Sequence, residues 1–460
     1  MRLAPLSTAL FCLAVASPAR GQASNDAALV ARIDSLVKDY MALKKAPAIS
    51  VAVVRGNDTL VMKGYGLANR EANRAATAST VYRIGSITKQ FTAAGIMREA
   101  EQGKLSLDDP ISKYLPDVPT HGQRITIRNL LSHTSGLHNY TDSPEWVKRW
   151  SEAMTPRQIV AFVDKDTLDF APGTKYSYSN TGYVLLGMIL EKVTGQPYAA
   201  YLQRQFFTPL GLTQTSYCPD RPKDPQFADG YAASSGTVKP AEYLNITQPF
   251  SAGALCSTVR DLVKWHRALL AGRVVGARSY SLMTTADTLN NGTRINYGFG
   301  LVPGQMAGQR MIGHSGGING FTTYGLYMPD QNLNVITLSN SDGGPGPLAL
   351  NITRAVVGIP VVPMPKPLVA VAFPDSLRGR IPGVYDFGNV VLRITLEEGR
   401  LMMQPDGQPT KVPMVHLGNL RFGTDIDRSL FITFVNESGK ISKAQLTQRS
   451  DPPQQGTRRP

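Results

Sequence analysis

Residues 49–54 are apolar apart from Ser50, and residues 60–62 form a second apolar run that ends at Lys63. Between them stands Arg55-Gly56-Asn57-Asp58, a turn signal that predicts a β-hairpin. Over residues 86–102 the period changes. Ile87, Phe91, Ala94 and Met97 recur at helical spacing, and Gly103 ends the run. Helix-like and loop segments continue to about Leu212, and residues 183–190 are apolar enough for a buried helix. Turn-rich sequence follows, then a predicted helix over 258–271 with Asp261 in its first turn. Strand patterns return at 297–302, 321–328 and 333–338. Strands at both ends with helices between predict one α+β domain over residues 24–355, its sheet closed by both ends of the segment.

A shift in pattern marks the boundary of that domain. Pro360, Pro363, Pro365, Pro367 and Pro374 crowd residues 356–374, which suits an extended linker. Beyond it, Leu392, Ile394 and Leu396 alternate with Arg393 and Thr395, and Glu398-Gly399 turns the chain into residues 401–403. Leu430, Ile432 and Phe434 lead to a second turn at Ser438-Gly439. Residues 375–450 are therefore expected to form a small antiparallel β-barrel. Residues 451–460 are polar and Pro-rich and are expected to be disordered.

Length and composition fit this division. At 460 residues the chain is too long for one ordinary domain. With 42% hydrophobic and 18% charged residues it is neither a coiled coil nor a wholly disordered chain. The net charge is 48 − 34 = +14, but no Lys/Arg run stands out, so the excess reads as a soluble basic surface and no nucleic-acid partner is expected. The N-terminus changes the picture more. Arg2, an apolar stretch over 6–16, and Ser17-Pro18-Ala19 with Gly21-Gln22-Ala23 describe a secretory signal peptide over residues 1–23. The stretch is too short to span a membrane, and the competing reading is a buried N-terminal helix. Export to the periplasm or medium, without a stable membrane anchor, is the expectation. Cleavage after Ala23 removes Arg2 and Arg20, leaving 14 − 2 = +12, and removes Cys12. Cys218 and Cys256 remain, and their spacing alone does not decide whether they pair.

Ser86-Ile87-Thr88-Lys89 is the first candidate for chemistry. Positions i and i+3 share a helix face, so a hydroxyl and an amine can meet there. A desolvated lysine loses basicity and can take a serine proton, and a helix N-terminus favours developing negative charge. Alone, the motif is better read as a capping serine beside a solvated lysine. Tyr178-Ser179-Asn180 and His314-Ser315-Gly316-Gly317 give it company. With these three motifs the sequence resembles the serine β-lactamases and DD-peptidases, in the branch of class C β-lactamases, D-aminopeptidases, DD-carboxypeptidases and related esterases. The likeness spans about 46–350 and includes Tyr82-Arg83-Ile84-Gly85, Gly103-Lys104-Leu105, Leu107-Asp108-Asp109-Pro110 and Leu130-Leu131-Ser132-His133-Thr134-Ser135-Gly136-Leu137. Pro172-Gly173, Gly253, Ser257-Thr258 and Asp261-Leu262 also fit.

The resemblance implies an antiparallel sheet flanked by helices, a helical subdomain and a cofactor-free acyl-enzyme mechanism. Ser86 would match the nucleophile, Lys89 its paired amine and Tyr178 the acid–base tyrosine, acting as phenolate or by sharing a proton. Asn180 would hold the substrate amide, and the backbone N–H groups of Ser86 and Gly317 the oxyanion. His314 would meet the substrate carboxylate where the family usually has Lys, with Ser315 and Gly316 beside it. That departure points to the peptidase and esterase side of the family, because imidazole is only partly charged near neutrality. The implied substrates are D-amino-acid peptides first, then simple esters and β-lactams.

Two rival readings carry different expectations. Gly313-His314-Ser315-Gly316-Gly317 also satisfies G-x-S-x-G, which requires a helix after Ser315. A non-catalytic binder of peptidoglycan-like ligands would not need Ser86, Lys89 and Tyr178 together. There is no H-E-x-x-H, no paired C-x-x-C and no phosphate-binding G-x-x-x-x-G-K-[ST], so no metal or nucleotide is expected. His133 and His138, five apart, read as loop or packing residues.

Overall fold

The computed structural model describes residues 19–233, 237–363, 368–388, 390–405, 411–424, 430–437, 439–448 and 453–459. The expected signal segment lies outside them up to residue 18. Residues 19–23 begin the helix Ala19–Lys44.

Seven antiparallel strands organise the larger unit. Their spatial order is Arg74–Ala75, Asp58–Asn69, Ala48–Arg55, Leu333–Ser339, Phe321–Met328, Gln309–Ile318 and Val302–Met306. The two ends of the segment meet at the centre, where Ile49 lies opposite Ser339 and Arg55 opposite Leu333. The expected hairpin is present, with Arg55 opposite Asp58 and Gly56 at φ +55° in the tight turn. Alternation along Ala48–Arg55 sends Ile49, Val51 and Val53 to a core shared with Ile33, Val37, Leu348 and Ile352. These last four sit on the helices Ala19–Lys44 and Gly346–Val356. Ala48, Ala52 and Val54 face the opposite core, with Phe91, Leu262 and Trp265. Both faces are covered, which is why residues 48–54 are apolar on both of them apart from Ser50.

The helix Thr88–Glu101 runs through that second core and buries Thr88, Lys89, Gln90 and Phe91 as well as its apolar face. Phe91 stacks on Trp265 of the helix Val259–Leu270 with ring centroids 3.9 Å apart. The apolar helix expected at 183–190 lies within Asn180–Thr194. One expected strand is absent: residues 297–301 are irregular, and pairing begins at Val302. Two glycines account for the change. A Cβ on Gly298 would stand 2.3 Å from the Met283 carbonyl oxygen, and Gly300, at φ +73°, approaches the Lys89 carbonyl oxygen so closely that a Cβ would lie 2.6 Å away. Backbone packing against two neighbours, and not ladder pairing, shapes this segment.

The C-terminal strands form one nine-stranded antiparallel sheet. Its first and last strands in spatial order, Val412–Pro413 and Val415–His416, are separated in sequence by Met414 alone, so the sheet nearly closes into a barrel. Tyr385, Leu392, Ile394, Phe422, Ile432 and Phe434 fill its interior. The tail corrects the expectation of disorder. Gln454–Arg458 is a strand between Tyr385–Asp386 and Lys443–Leu446. Its pairing uses the backbone, which polar composition does not reveal. Gly456 makes room for the Phe387 ring, and the Arg458 guanidinium donates to the carbonyls of Arg380 and Ile441.

Cys218 and Cys256 are bonded across 38 residues, with Cα atoms 5.1 Å apart. Cys256 lies in Leu255–Ser257, which pairs with Tyr82–Arg83 just ahead of Ser86. The cross-link therefore supports the strand that leads into the first motif. Replacing both cysteines by Ala should lower the unfolding free energy by about 2–4 kcal/mol, measured by denaturant titration. An unchanged midpoint would show that the loop is held by packing alone.

Candidate active site

Ser86 stands in a short 3-10 turn, Gly85–Ile87, that runs directly into Thr88–Glu101. Gly85 has φ +52°, and a Cβ there would lie 2.7 Å from the Gly317 nitrogen. Gly316 is equally constrained, because its Cβ would stand 2.0 Å from the Ile84 carbonyl oxygen. Thr323 Oγ1 donates to that same carbonyl at 3.0 Å. The strand Gln309–Ile318 is thereby pressed against the serine turn, and the two glycines are there because backbone meets backbone.

Lys89 lies one turn further along and is 0% exposed. Its Nζ donates to Ser86 Oγ at 3.0 Å, to Asn180 Oδ1 at 2.8 Å and to the Ala252 carbonyl at 2.8 Å. It also sits 4.8 Å from the ring centre of Tyr178. Desolvation drives its pKa well below the ordinary lysine value. Burial raises the Tyr178 phenol's pKa, and the nearby Ser86 hydroxyl lowers it by less. At neutral pH the resting phenol is protonated, so the lowered amine, and not a phenolate, is the group suited to take the serine proton. Asn180 opens the helix Asn180–Thr194, whose N-terminus is capped by Ser179.

Ser86, Asn180 and Gly317 line a cleft of about 140 Å³ together with Tyr140, Thr141 and Trp146. None of the residues lining it carries a formal charge. His314 is absent from this lining, a departure from the expected role. Strand alternation turns His314 and Gly316 inward and leaves Ser315 and Gly317 exposed. His314 is 4% exposed; its Nδ1 lies 2.5 Å from the Ser315 carbonyl, and its Nε2 2.9 Å from the Tyr297 hydroxyl. Burial first, and the Lys89 amine second, lower its pKa to about 4. A neutral imidazole pointed at Tyr297 is no anchor for a carboxylate. The nucleophile-elbow reading also fails, because Ser315 sits in a strand that returns as Phe321–Met328 without an intervening helix.

A family model described as Beta-lactamase matches residues 33–358. The chain belongs to the beta-lactamase family. Penicillin-binding protein 4* of Bacillus subtilis (strain 168) is 32% identical over 319 residues, covering 64% of this chain and 68% of its own. The D-aminopeptidase of Gluconobacter oxydans (strain 621H) is 29% identical over 346 residues, covering 72% of this chain and 63% of its own. Among solved structures, the D-amino acid amidase of Ochrobactrum anthropi SV3, complexed with L-phenylalanine amide, superposes with a TM-score of 0.62 at 28% identity. That match covers 72% of this chain and 97% of the amidase.

The structure brings Ser86, Lys89, Tyr178, Asn180 and Gly317 into one neighbourhood. Sequence reasoning missed Tyr297, the Ala252 carbonyl and Gly300. The carbonyl carries no side-chain signal. For Tyr297 the signal was the pair Gly298 and Gly300 that follows it, which the strand pattern obscured. Because His314 is neutral, the ratio of kcat/KM for a carboxylate-bearing substrate to that for a neutral ester should stay flat across the ordinary imidazole range near pH ~6.5. His314→Lys should lower the melting temperature, since a second amine would be buried in the field of Lys89. A ratio that falls as pH rises through that range would restore His314 as a charged anchor.

Proposed function

We propose that this chain is a secreted serine hydrolase that cleaves amide or ester bonds through a seryl acyl-enzyme, with D-amino-acid amides and peptides as its first substrates. The observation that carries the reading is the buried Lys89 amine 3.0 Å from Ser86 Oγ, with its basicity lowered by desolvation. In its deprotonated form Lys89 keeps its two N–H bonds for Asn180 Oδ1 and the Ala252 carbonyl and turns its lone pair to Ser86 Oγ, so Ser86 attacks the substrate carbonyl as its proton passes to Lys89. The oxyanion forms between the Ser86 and Gly317 backbone N–H groups. Tyr178, whose ring lies 4.8 Å from the Lys89 amine, relays a proton to the departing amine or alcohol as the scissile bond breaks. Water then attacks the acyl carbon, and the same groups return Ser86 to its resting state.

Several features support the finer parts of the reading. The matches to a D-aminopeptidase and a D-amino acid amidase favour D-amino-acid amides. A groove of about 500 Å³ adjoins the catalytic cleft, sharing Leu244 and Asn319 with it. It carries Glu71, Asp220, Asp229 and Glu242 against Arg83 and Arg221. Such an excess of carboxylates suits an amine-bearing substrate better than a carboxylate-bearing one. Export is supported by the signal-like N-terminus and by the Cys218–Cys256 bond, a feature of oxidising compartments. A second reading, esterase, is favoured by the absence of formal charge around the catalytic cleft. A non-catalytic binder would bear the cost of a buried amine for nothing.

The test is a panel of D-amino-acid amides, D-Ala-D-Ala peptides, short esters and nitrocefin compared by kcat/KM. D-Amino-acid amides should lead. Ser86→Ala should remove turnover by about 10⁴-fold or more and abolish labelling by a fluorophosphonate, while Ser315→Ala keeps a substantial fraction. Tyr178→Phe should slow turnover by about 10²-fold or more, and Lys89→Ala at least as much. Turnover that survives in Ser86→Ala would overturn the assignment.

A further inference from the structure

His133 lies outside the catalytic groups described above, yet it touches the segment that carries one of them. The five-residue helix Ile127–Leu131 ends with Ser132 as its C-cap, and His133 follows at φ +58°. Helices commonly end in this left-handed conformation with glycine, so a histidine there is unusual. The unusual backbone turns the residue toward Ser177-Tyr178-Ser179. The His133 carbonyl accepts the Ser177 N–H at 3.0 Å, and His133 Nδ1 accepts the Ser179 N–H at 3.1 Å. One residue thus holds the backbone on both sides of Tyr178. Its ring lies 4.2 Å from the Tyr178 ring and 4.6 Å from that of Tyr297, centroid to centroid. The side chain is 1% exposed, and Nε2 finds no hydrogen-bond partner among the described residues.

We infer that His133 is a positioning residue: as a neutral imidazole with Nδ1 unprotonated, it fixes the Tyr178 hydroxyl against Ser86. The bond from Ser179 requires a lone pair on Nδ1, which places the proton on Nε2. Burial, and then the nearby Lys89 and His314, favour that neutral form by lowering the imidazole's pKa. A proton on Nδ1 would oppose the Ser179 N–H and release one flank of Tyr178. The Tyr178 hydroxyl would then swing relative to Ser86, and small displacements of a proton-transfer group cost rate steeply.

The inference rests on the serine-hydrolase reading, and its test separates the two. Asn and Leu have nearly the same shape, but only Asn offers an acceptor, Oδ1, at the place of Nδ1; Asn also tolerates the left-handed backbone. His133→Leu should lower kcat by about 10²-fold with KM little changed, and His133→Asn should recover most of that loss. In a Tyr178→Phe background the Leu substitution should cost only a few-fold more, because there is no hydroxyl left to position. Equal rates for the Asn and Leu variants, or an undiminished Leu effect in the Tyr178→Phe background, would overturn the inference. Should the Leu variant not fold, ¹⁵N-histidine NMR of the wild-type protein reads the bond without turnover. An unprotonated Nδ1 and a protonated Nε2 at neutral pH are expected for His133, and a protonated Nδ1 refutes the inference even in an active enzyme. A wild-type protein inactive on every substrate, with the expected tautomer, would instead refute the hydrolase reading alone.

Discussion

An amine taken out of water loses hydration that only a paired charge or a full set of acceptors replaces. Lys89 is fully buried and has the acceptors without the charge: Ser86 Oγ, Asn180 Oδ1 and the Ala252 carbonyl. Those three come from three separate parts of the chain, so the position of the amine is fixed only when the helices Thr88–Glu101 and Asn180–Thr194 and the turn before Leu255 are all assembled. The requirement explains features remote from the cleft. Gly300 gives up its side chain to pack on the Lys89 carbonyl, and the disulfide steadies the strand next to Ala252. A site that weakens its own lysine as a base is costly to the fold, and burial holds that amine well below the ordinary lysine value.

Three nitrogen bases, Lys89, His133 and His314, share this interior, and they cannot all be charged together. Each imidazole is pushed toward neutrality by burial and then by Lys89. The neutral forms are put to use as acceptors: His133 Nδ1 receives the Ser179 N–H, while His314 Nε2 faces the Tyr297 hydroxyl. Burial has the opposite effect on Tyr178 and Tyr297, raising both phenols. The site therefore contains protonated phenols and bases of reduced strength, and a proton from Ser86 has one short path, to Lys89. The protonation states of this interior follow from desolvation more than from charge pairing.

The architecture was legible where each residue's role depends on its neighbours along the chain. The hairpin at Arg55-Gly56-Asn57-Asp58 and the helix bearing Ile87, Phe91, Ala94 and Met97 follow from local period and turn chemistry. The serine, lysine, tyrosine and asparagine were legible because their spacing matched a family. What local patterns do not encode is where backbone meets backbone. Tyr297 and Phe299 alternate as in a strand, but Gly298 and Gly300 fit against Met283 and Lys89 instead. Residues 454–458 look like a tail by composition, yet Tyr385–Asp386 and Lys443–Leu446 leave a gap that any backbone can fill. His133 carried no signal for positioning, because its effect depends on φ and on two amides more than forty residues away.

The third motif is best understood through strand geometry. In Gln309–Ile318, His314 and Gly316 face inward, and Ser315 and Gly317 face outward. A permanent cation at 314 would stand in the field of Lys89 at low dielectric, where like charges repel strongly. Imidazole avoids the conflict by shedding its proton, and it keeps Tyr297 in place. The consequence is a catalytic cleft with no cation to meet a substrate carboxylate. What the cleft presents is its shape, the aromatic residues Tyr140 and Trp146, and the polar groups of Asn180 and Gly317. Among the described residues, formal charge lines the adjoining groove, where carboxylates outnumber guanidinium groups in a chain that is otherwise basic.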